Sequence, residues 1–387
     1  MMEITSEHSC TGCAACQNIC PMDAITMDSV RRGFRYPEID QSKCVNCGKC
    51  IKVCPANRDS GFGNQPLLTY AFRHKERDVR MRSTSGGAFT AISDAIFLRQ
   101  GVVYGAAFDE SLNLVHMSAP DRESRDQIRG AKYIQSVIGL TFRDVKKDLQ
   151  QKKQVLFTGT PCQVAGLKSF LAKDYDNLYT VDIVCHGVPS REVWRAFITC
   201  LSEKIGEVSH FDFRYKPNGW HGSKIRVITK KGDVVYNTHL TRSFSDIYFG
   251  RYIIRESCRD CKYKCDRRTG DITIGDFWGF DDYDTTYKDE QGVSLVLVNT
   301  PQGKALIEKI REAGDFREAS LDRIPQTNIN KKSENQSRNT EKFWDDFVTK
   351  GYEYVAKKYT EYGWNNRLKK RIMASGRVIF RKIRGRI

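Results

Sequence analysis

The sequence predicts an α+β protein in which a small cysteine-dense head precedes a mixed α/β core. Eight of the fourteen cysteines lie in the first 54 residues, and residues 55–161 contain none. From residue 68 onward, short β-branched and aromatic runs alternate with segments of helical period. At 387 residues, 40% of them hydrophobic, the chain has material for two or three domains. Its thiols are therefore not needed as staples for a tiny fold. The first residues lack the basic region, apolar core and cleavage site of a secretory leader. No apolar run approaches the roughly 18 residues of a spanning helix. The expectation is a cytoplasmic chain whose thiols bind metal.

The head, taken as residues 1–60, repeats one pattern. Cys10, Cys13, Cys16 and Cys20 are followed by Pro21, and Cys44, Cys47, Cys50 and Cys54 are followed by Pro55, with the same spacing in each run. This is the C-x2-C-x2-C-x3-C-P run of bacterial 4Fe–4S ferredoxins, in which the fourth cysteine reaches the other cluster. The expected sets are Cys10, Cys13, Cys16 and Cys54 for one cluster, and Cys44, Cys47, Cys50 and Cys20 for the other. Ile19, Ile25, Ile39, Ile51 and Val53 are expected to wrap the clusters. Residues 34–39 alternate like a short strand. A zinc ribbon is the competing reading, but zinc asks for about four ligands per site, usually as two CxxC pairs.

Residues 56–66 are polar and glycine-containing and read as a linker. Residues 67–150 and 151–325 then form two regions of the core. A strand is expected at 68–73, a helix over 88–100 with Gly101 at its C-cap, and paired strands at 102–108 and 112–118. Residues 141–153 read as helical and 154–158 as a buried strand, followed by a helix to about 172. A strand is expected at 178–185 and a helix from about 190. A hairpin follows at 224–239, with further strands at 271–275 and 293–298 and a helix at 303–313. Residues 326–342 read as a loosely ordered polar connection, so that 326–387 forms a connection and tail.

Two turns between strand and helix carry small residues: Ser83-Thr84-Ser85-Gly86-Gly87 and Thr158-Gly159-Thr160-Pro161-Cys162-Gln163. A helix start presents free N–H groups that stabilise an anion. Neither turn is a dinucleotide or Walker fingerprint, and a simply capped helix is the plain alternative. Cys162, Cys185 and the pair Cys258 and Cys261 sit at strand ends or turns, with Cys265 just beyond. They are candidates for one shared metal site, which spacing alone does not establish. Cys200 reads as a small core residue.

Taken together, Ser83–Gly87, Gly159–Gln163, Asp182–Ser190, Cys258-x-x-Cys261 and Gly270–Asp276 resemble the beta subunit of coenzyme F-420 hydrogenases and dehydrogenases, fused to an amino-terminal dicluster ferredoxin. The resemblance spans about residues 5–310. It implies a small ferredoxin-like dicluster domain followed by a mixed α/β flavin-binding core. An FAD site would use Ser85, Gly86, Gly87, Gly159, Thr160, Pro161 and Gln163. A third 4Fe–4S cluster would sit on Cys162, Cys185, Cys258 and Cys261, with Cys265 as a substitute ligand. His186 and Asp276 would lie near flavin or cluster, His186 being the candidate proton donor. The basic stretch around Cys261 departs from a site for a neutral ring. A solvated basic loop is its simplest reading.

The resemblance implies an iron–sulfur flavin-dependent oxidoreductase, because a flavin converts between one-electron clusters and a two-electron hydride. Electrons would pass between ferredoxin, or another redox protein, and an organic hydride acceptor. A non-catalytic electron-transfer subunit is the alternative. The net charge of +16 prompts a third reading, a nucleic-acid or membrane binder. However, residues 367–387 hold nine Lys/Arg and no Asp/Glu, so most of the excess belongs to a tail. No nucleic-acid partner is expected. Leu368, Ile372, Ile379 and Ile383 recur at near four-residue spacing, which suits peripheral contact with anionic lipid.

Overall fold

In the computed structural model, residues 3–58, 63–329 and 339–368 are described, together with 370 and 372. The head contains α1 (Ala15–Ile19), β1 (Ile25–Arg31), β2 (Phe34–Ile39) and α2 (Lys49–Val53). The sequence repeat is also a backbone repeat. Each short helix starts from a left-handed residue, Ala14 at φ 60° or Gly48 at φ 68°. Each ends on an extended cysteine, Cys20 or Cys54. The strand expected at 34–39 is β2, and it pairs antiparallel with β1, which the sequence did not announce.

The core begins with β3 (Leu68–His74), α3 (Arg77–Arg82), α4 (Ala88–Phe97), β4 (Val102–Phe108), β5 (Leu114–Ala119), α5 (Arg122–Ile128) and α6 (Thr141–Gln150). It continues through β6 (Val155–Gly159), α7 (Pro161–Leu171), β7 (Leu178–Ile183) and α8 (Arg191–Ile205). A three-stranded antiparallel sheet follows, of β8 (Val208–Tyr215), β9 (Lys224–Thr229) and β10 (Val234–Tyr236). After α9 (His239–Phe249) come β11 (Ile272–Asp276), α10 (Phe280–Tyr283), β12 (Ser294–Val298), α11 (Pro301–Lys309), β13 (Gly314–Glu318) and α12 (Thr340–Tyr359).

Eight strands form one mixed sheet in the order β13-β3-β12-β11-β7-β6-β4-β5. β4, β6, β7 and β11 run parallel, and β12 lies antiparallel to both β11 and β3. Hence β3, β4, β6, β7 and β11 all point the same way. β12 is buried along its whole length, and β6 and β7 at all but their last residue. This is the continuous apolar reading of strands covered on both faces. β9 instead alternates buried and half-buried residues, as a sheet with one wet face does.

Two expectations change. The helix at 88–100 stops at Phe97, and the left-handed residue after it is Gln100 at φ 54°, not Gly101. The connection at 326–342 is not loose at its ends. Gln326, Asn328 and Ile329 are buried, and the Asn339 side chain accepts from Lys342 N–H to cap α12. α12 packs against α8 and α9, with Phe343, Phe347 and Val355 buried and a break at Gly351. The rest of the tail, including Ile379 and Ile383, lies outside the described residues. No described helix is long and apolar enough to cross a membrane.

Candidate functional site

The head folds so that the two cysteine runs exchange their last members. Cys10, Cys13, Cys16 and Cys54 line one hollow, closed by Ile4, Met27, Pro37, Pro55 and alanines. Cys20, Cys44, Cys47 and Cys50 line a second, with Ile25 and Ile39. Each loop delivers two thiols to its own hollow, the short helix after it a third, and the cysteine that ends the helix crosses to the other hollow. Of the expected wrapping residues, Ile25 and Ile39 line the second hollow. Ile19 and Val53 pack behind in the core, while Ile51 is exposed.

The two hollows differ in burial. All four cysteines of the first are buried. In the second, Cys47 is exposed and Cys20 and Cys44 are half-buried. Burial and the neighbouring thiols push Cys13 up to about 12 and Cys16 well above its usual range. Such thiols ionise only against a compensating positive charge, which iron supplies as it binds. Among the described residues, no three His, Cys, Asp or Glu side chains converge where one metal ion would sit. Four thiols spread around a hollow suit a cubane, whose four corners are separate irons.

A third hollow forms at the carboxyl end of the parallel strands. Cys162 follows β6 as the second residue of α7, and Cys185 follows β7. Cys258 closes a 3-10 turn at Glu256–Cys258, and Cys261 lies three residues on. All four line one hollow, with Thr11, Pro161, His186, Gly187, Val188, Ser257, Tyr263, Lys264, Arg268 and Asn328. Thr11 also lines the first hollow. Tyr263 is buried between them, its hydroxyl pushed up by burial and by the charges of Cys162, Cys13, Cys261 and Cys54. Cys265 points elsewhere, its thiol facing the Lys262 and Arg267 carbonyls. Cys200 is buried on α8 in the apolar core.

A buried ion pair fixes this end of the sheet. Asp182 accepts from Arg268 at 3.0 Å, from Thr269 N–H and Oγ at 2.9 and 2.8 Å, and from Gly270 N–H at 2.9 Å. The basic stretch around Cys261 is not merely solvated, as the sequence suggested. Arg268 is buried in this pair, and Lys262 donates to the carbonyls of Pro55 and Arg58, tying the loop to the head. His186 lies at the third hollow, where Asn328 donates to its Nδ1 at 2.7 Å. Burial, with Lys264 and Arg251 nearby, holds it below the usual histidine range and so neutral at pH 7. Asp276 does not line this hollow; it accepts from Trp220 Nε1 at 2.9 Å and from Arg214 at 3.2 Å, and its charge still reaches His186.

The two small-residue turns have their donors committed. Ser85 Oγ donates to Val293 O at 2.6 Å, and Gly86 N–H donates to Ser294 Oγ at 2.9 Å. Gly86 is needed because a side chain there would meet Phe72 O at 2.2 Å. Gly87, at φ 93°, is the N-cap of α4. In the other turn Thr160 and Gln163 form a reciprocal capping box over Pro161, just after Gly159, and Gln163 Nε2 donates to Ser136. These residues cap helices and close the ends of β3 and β12. As arranged, they do not present a flavin cradle.

Arg255 is a buried residue at the first hollow that sequence reasoning did not mark. It is fully buried and donates to Cys10 O at 2.7 Å and to Cys10 Sγ at 3.5 Å. No repeated spacing or motif marks it in the sequence.

Residues 9–58 match the 4Fe-4S dicluster domain. Residues 152–324 match the family described as the C terminus of the Coenzyme F420 hydrogenase/dehydrogenase beta subunit. No curated protein matches the chain. Among solved structures, a chain of the xenon-derivatised F420-reducing [NiFe] hydrogenase complex from Methanosarcina barkeri is similar at 17% identity and TM-score 0.46, over 69% of this chain and 87% of that one. The chain thus carries a 4Fe-4S dicluster domain at its amino-terminal end and, over residues 152–324, a region similar to the C terminus of the coenzyme F420 hydrogenase/dehydrogenase beta subunit.

Proposed function

We propose that the chain relays electrons through three 4Fe–4S clusters, held by Cys20, Cys44, Cys47 and Cys50 at the surface, by Cys10, Cys13, Cys16 and Cys54 inside, and by Cys162, Cys185, Cys258 and Cys261 beyond. The observation that carries this is the set of three hollows, each lined by four cysteines, with Thr11 shared by the inner two. Bound clusters supply one-electron chemistry. The protein supplies thiol geometry, apolar walls and a contrast in exposure between the outer and the middle set.

Entry at the outer set suits a ferredoxin or another acidic redox protein, since Cys47 is exposed amid Lys43, Lys49, Lys52, Met22 and Val45. Anaerobic reconstitution followed by iron and sulfide counts tests the relay. The expectation is about twelve irons per chain. About eight irons, unchanged in the Cys162→Ser and Cys258→Ser variants, would remove the third cluster from the proposal.

A second reading adds FAD and an organic hydride acceptor and makes the protein a flavin-dependent oxidoreductase. It is favoured by place and by one orphaned group. The turns gather at the carboxyl ends of parallel strands, where open α/β sheets bind ligands. There Arg214 Nε and Nη2 are buried and unbonded beside Asp276. The committed donors of Ser85, Gly86, Thr160 and Gln163 weigh against it. Flavin released on denaturing the anaerobically purified protein decides the matter: about one per chain establishes this reading, and none leaves the relay.

A further inference from the structure

Arg255 is 0% exposed, and its guanidinium has no carboxylate partner among its hydrogen bonds. Nε donates to Cys10 O at 2.7 Å, Nη1 to Gln135 Oε1 at 3.2 Å, and Nη2 to Arg35 O at 3.0 Å and to Cys10 Sγ at 3.5 Å. The cation also lies over the rings of Tyr36, at 4.4 Å, and Phe34, at 5.5 Å. Burying a cation without a counter-charge costs several kcal/mol, and carbonyl dipoles offset only part of that. A residue kept in such a place needs a negative charge that the polypeptide does not itself provide.

The backbone of Arg255 is equally placed. Its N–H donates to Val188 O and its carbonyl accepts from Cys258 N–H, each at 3.0 Å, so the same residue braces two segments of the third hollow. Gln135, which accepts from Arg255, donates in turn to Thr11 O at 3.0 Å, and Thr11 lines both inner hollows. Gly12 keeps the room. At φ 69°, a side chain there would come within 3.0 Å of Arg255 Nη1.

We infer that Arg255 is a tuning and positioning residue for the inner relay: its fixed charge against Cys10 raises the reduction potential of the cluster on Cys10, Cys13, Cys16 and Cys54 above that of the exposed one. The inference rests on the proposed three-station reading. Reduction of a four-thiolate cluster adds one negative charge and needs no proton. A buried cation at its sulfur therefore favours the reduced form, and net charge, hydrogen bonds to sulfur and solvent exposure are the levers that set such potentials. The cation beside the exposed set, Arg143, donates to Cys20 O at 2.8 Å but is partly exposed and neutralised by Asp23 at 2.7 Å, so an electron arriving at Cys20, Cys44, Cys47 and Cys50 is drawn inward and held next to the third hollow.

The test is an EPR-monitored redox titration of the anaerobic full-length protein and its Arg255→Gln and Arg255→Lys variants. R255Q is expected to shift the distribution of the electron between the inner and exposed clusters by about tenfold toward the exposed one, which is 59 mV for a one-electron couple. R255K, which keeps the charge, restores most of the shift. A cluster-loaded R255Q protein with unchanged midpoints overturns the inference. Where R255Q loses its iron, wild-type protein labelled with 15N-arginine decides. Pulsed EPR of the reduced inner cluster shows a 15N coupling if Arg255 lies at its sulfur, and its absence overturns the inference. Wild-type protein that binds no iron at the inner set fails the relay itself, before Arg255 is in question.

Discussion

Gly166 of α7 lies against Cys13 of the head. A methyl group built on Gly166 would approach Cys13 Cβ to 2.9 Å and Sγ to 3.0 Å. A glycine inside a helix costs about 1 kcal/mol relative to alanine, so propensity alone makes Gly166→Ala stabilising. The contact reverses that expectation at the inner thiols, because Cys13 has to move. Gly166→Ala is predicted to lose about four irons, those of one 4Fe–4S cluster, and to leave the exposed cluster intact. A G166A protein with full iron and an unaltered EPR spectrum would show that Cys13 has room to yield.

The exchange of Cys20 and Cys54 between runs gives a second prediction. If thiols group as the hollows do, Cys54→Ser alters the same spectral component as Cys13→Ser, and Cys20→Ser the same component as Cys47→Ser. Mössbauer spectra of the four variants check this. Finding Cys54→Ser paired with Cys47→Ser would mean that each run keeps its own cluster. The exposure of Cys47 further predicts that limited air oxidation removes the component shared by Cys20 and Cys47 first.

These two pairings show how far the sequence was legible. Cys10 to Cys20 and Cys44 to Cys54 are local runs, so spacing alone set out their geometry. Cys162 and Cys185 come together because β6 and β7 are adjacent and parallel, and Cys258 and Cys261 join them because the segment before β11 pairs with the one after β7 through Pro189–Ile254 and Arg255 N–H to Val188 O, relationships that no local spacing encodes. The Gly86 and Gly159 turns were harder, since a capped helix and an anion cradle use the same N–H donors and the same small residues. Only the partners Ser294 and Gln163 distinguish the two. β1, β8 and β13 went unread because their patterns are short or mixed. α12 did so because Gly351 breaks its period and a polar stretch precedes it. Arg255 looks like any basic residue until its burial is known.

Asp182 and Arg268 supply a third prediction. Their side chains are 0% and 1% exposed, and Asp182 accepts four hydrogen bonds. Removing one partner of such a pair leaves an uncompensated buried charge, at a cost of about 3–5 kcal/mol. Asp182→Leu is therefore expected to lower the urea midpoint sharply and to deplete iron at Cys185 before it affects the head. The double variant Asp182→Leu with Arg268→Leu is expected to recover only part of the stability: the unpaired charge is gone, but Thr269 N–H, Thr269 Oγ and Gly270 N–H still lack their acceptor. A single D182L cost below about 1 kcal/mol, the range of exposed pairs, would show that the pair is not held in a dry interior.

His116 supplies a fourth prediction, a contribution to the pH dependence of stability. It lies on β5, stacks on Phe157 at 5.3 Å, and donates from Nε2 to Thr158 O at 3.0 Å. Its Nδ1 is buried without a partner. Burial lowers its pKa from 6.5 to about 4. The unfolded chain therefore binds more protons than the folded one between about pH 6.5 and pH 4, so stability falls as pH falls through that window. Between pH 7.5 and pH 5 the predicted loss from this one group is about 2 kcal/mol. His116→Gln keeps a donor for the Thr158 carbonyl but does not titrate, so its unfolding free energy should fall less over the same range. Urea unfolding of both proteins at the two pH values, in matched cluster-free form, separates this from acid loss of iron. Parallel declines of the two curves would remove His116 as the cause.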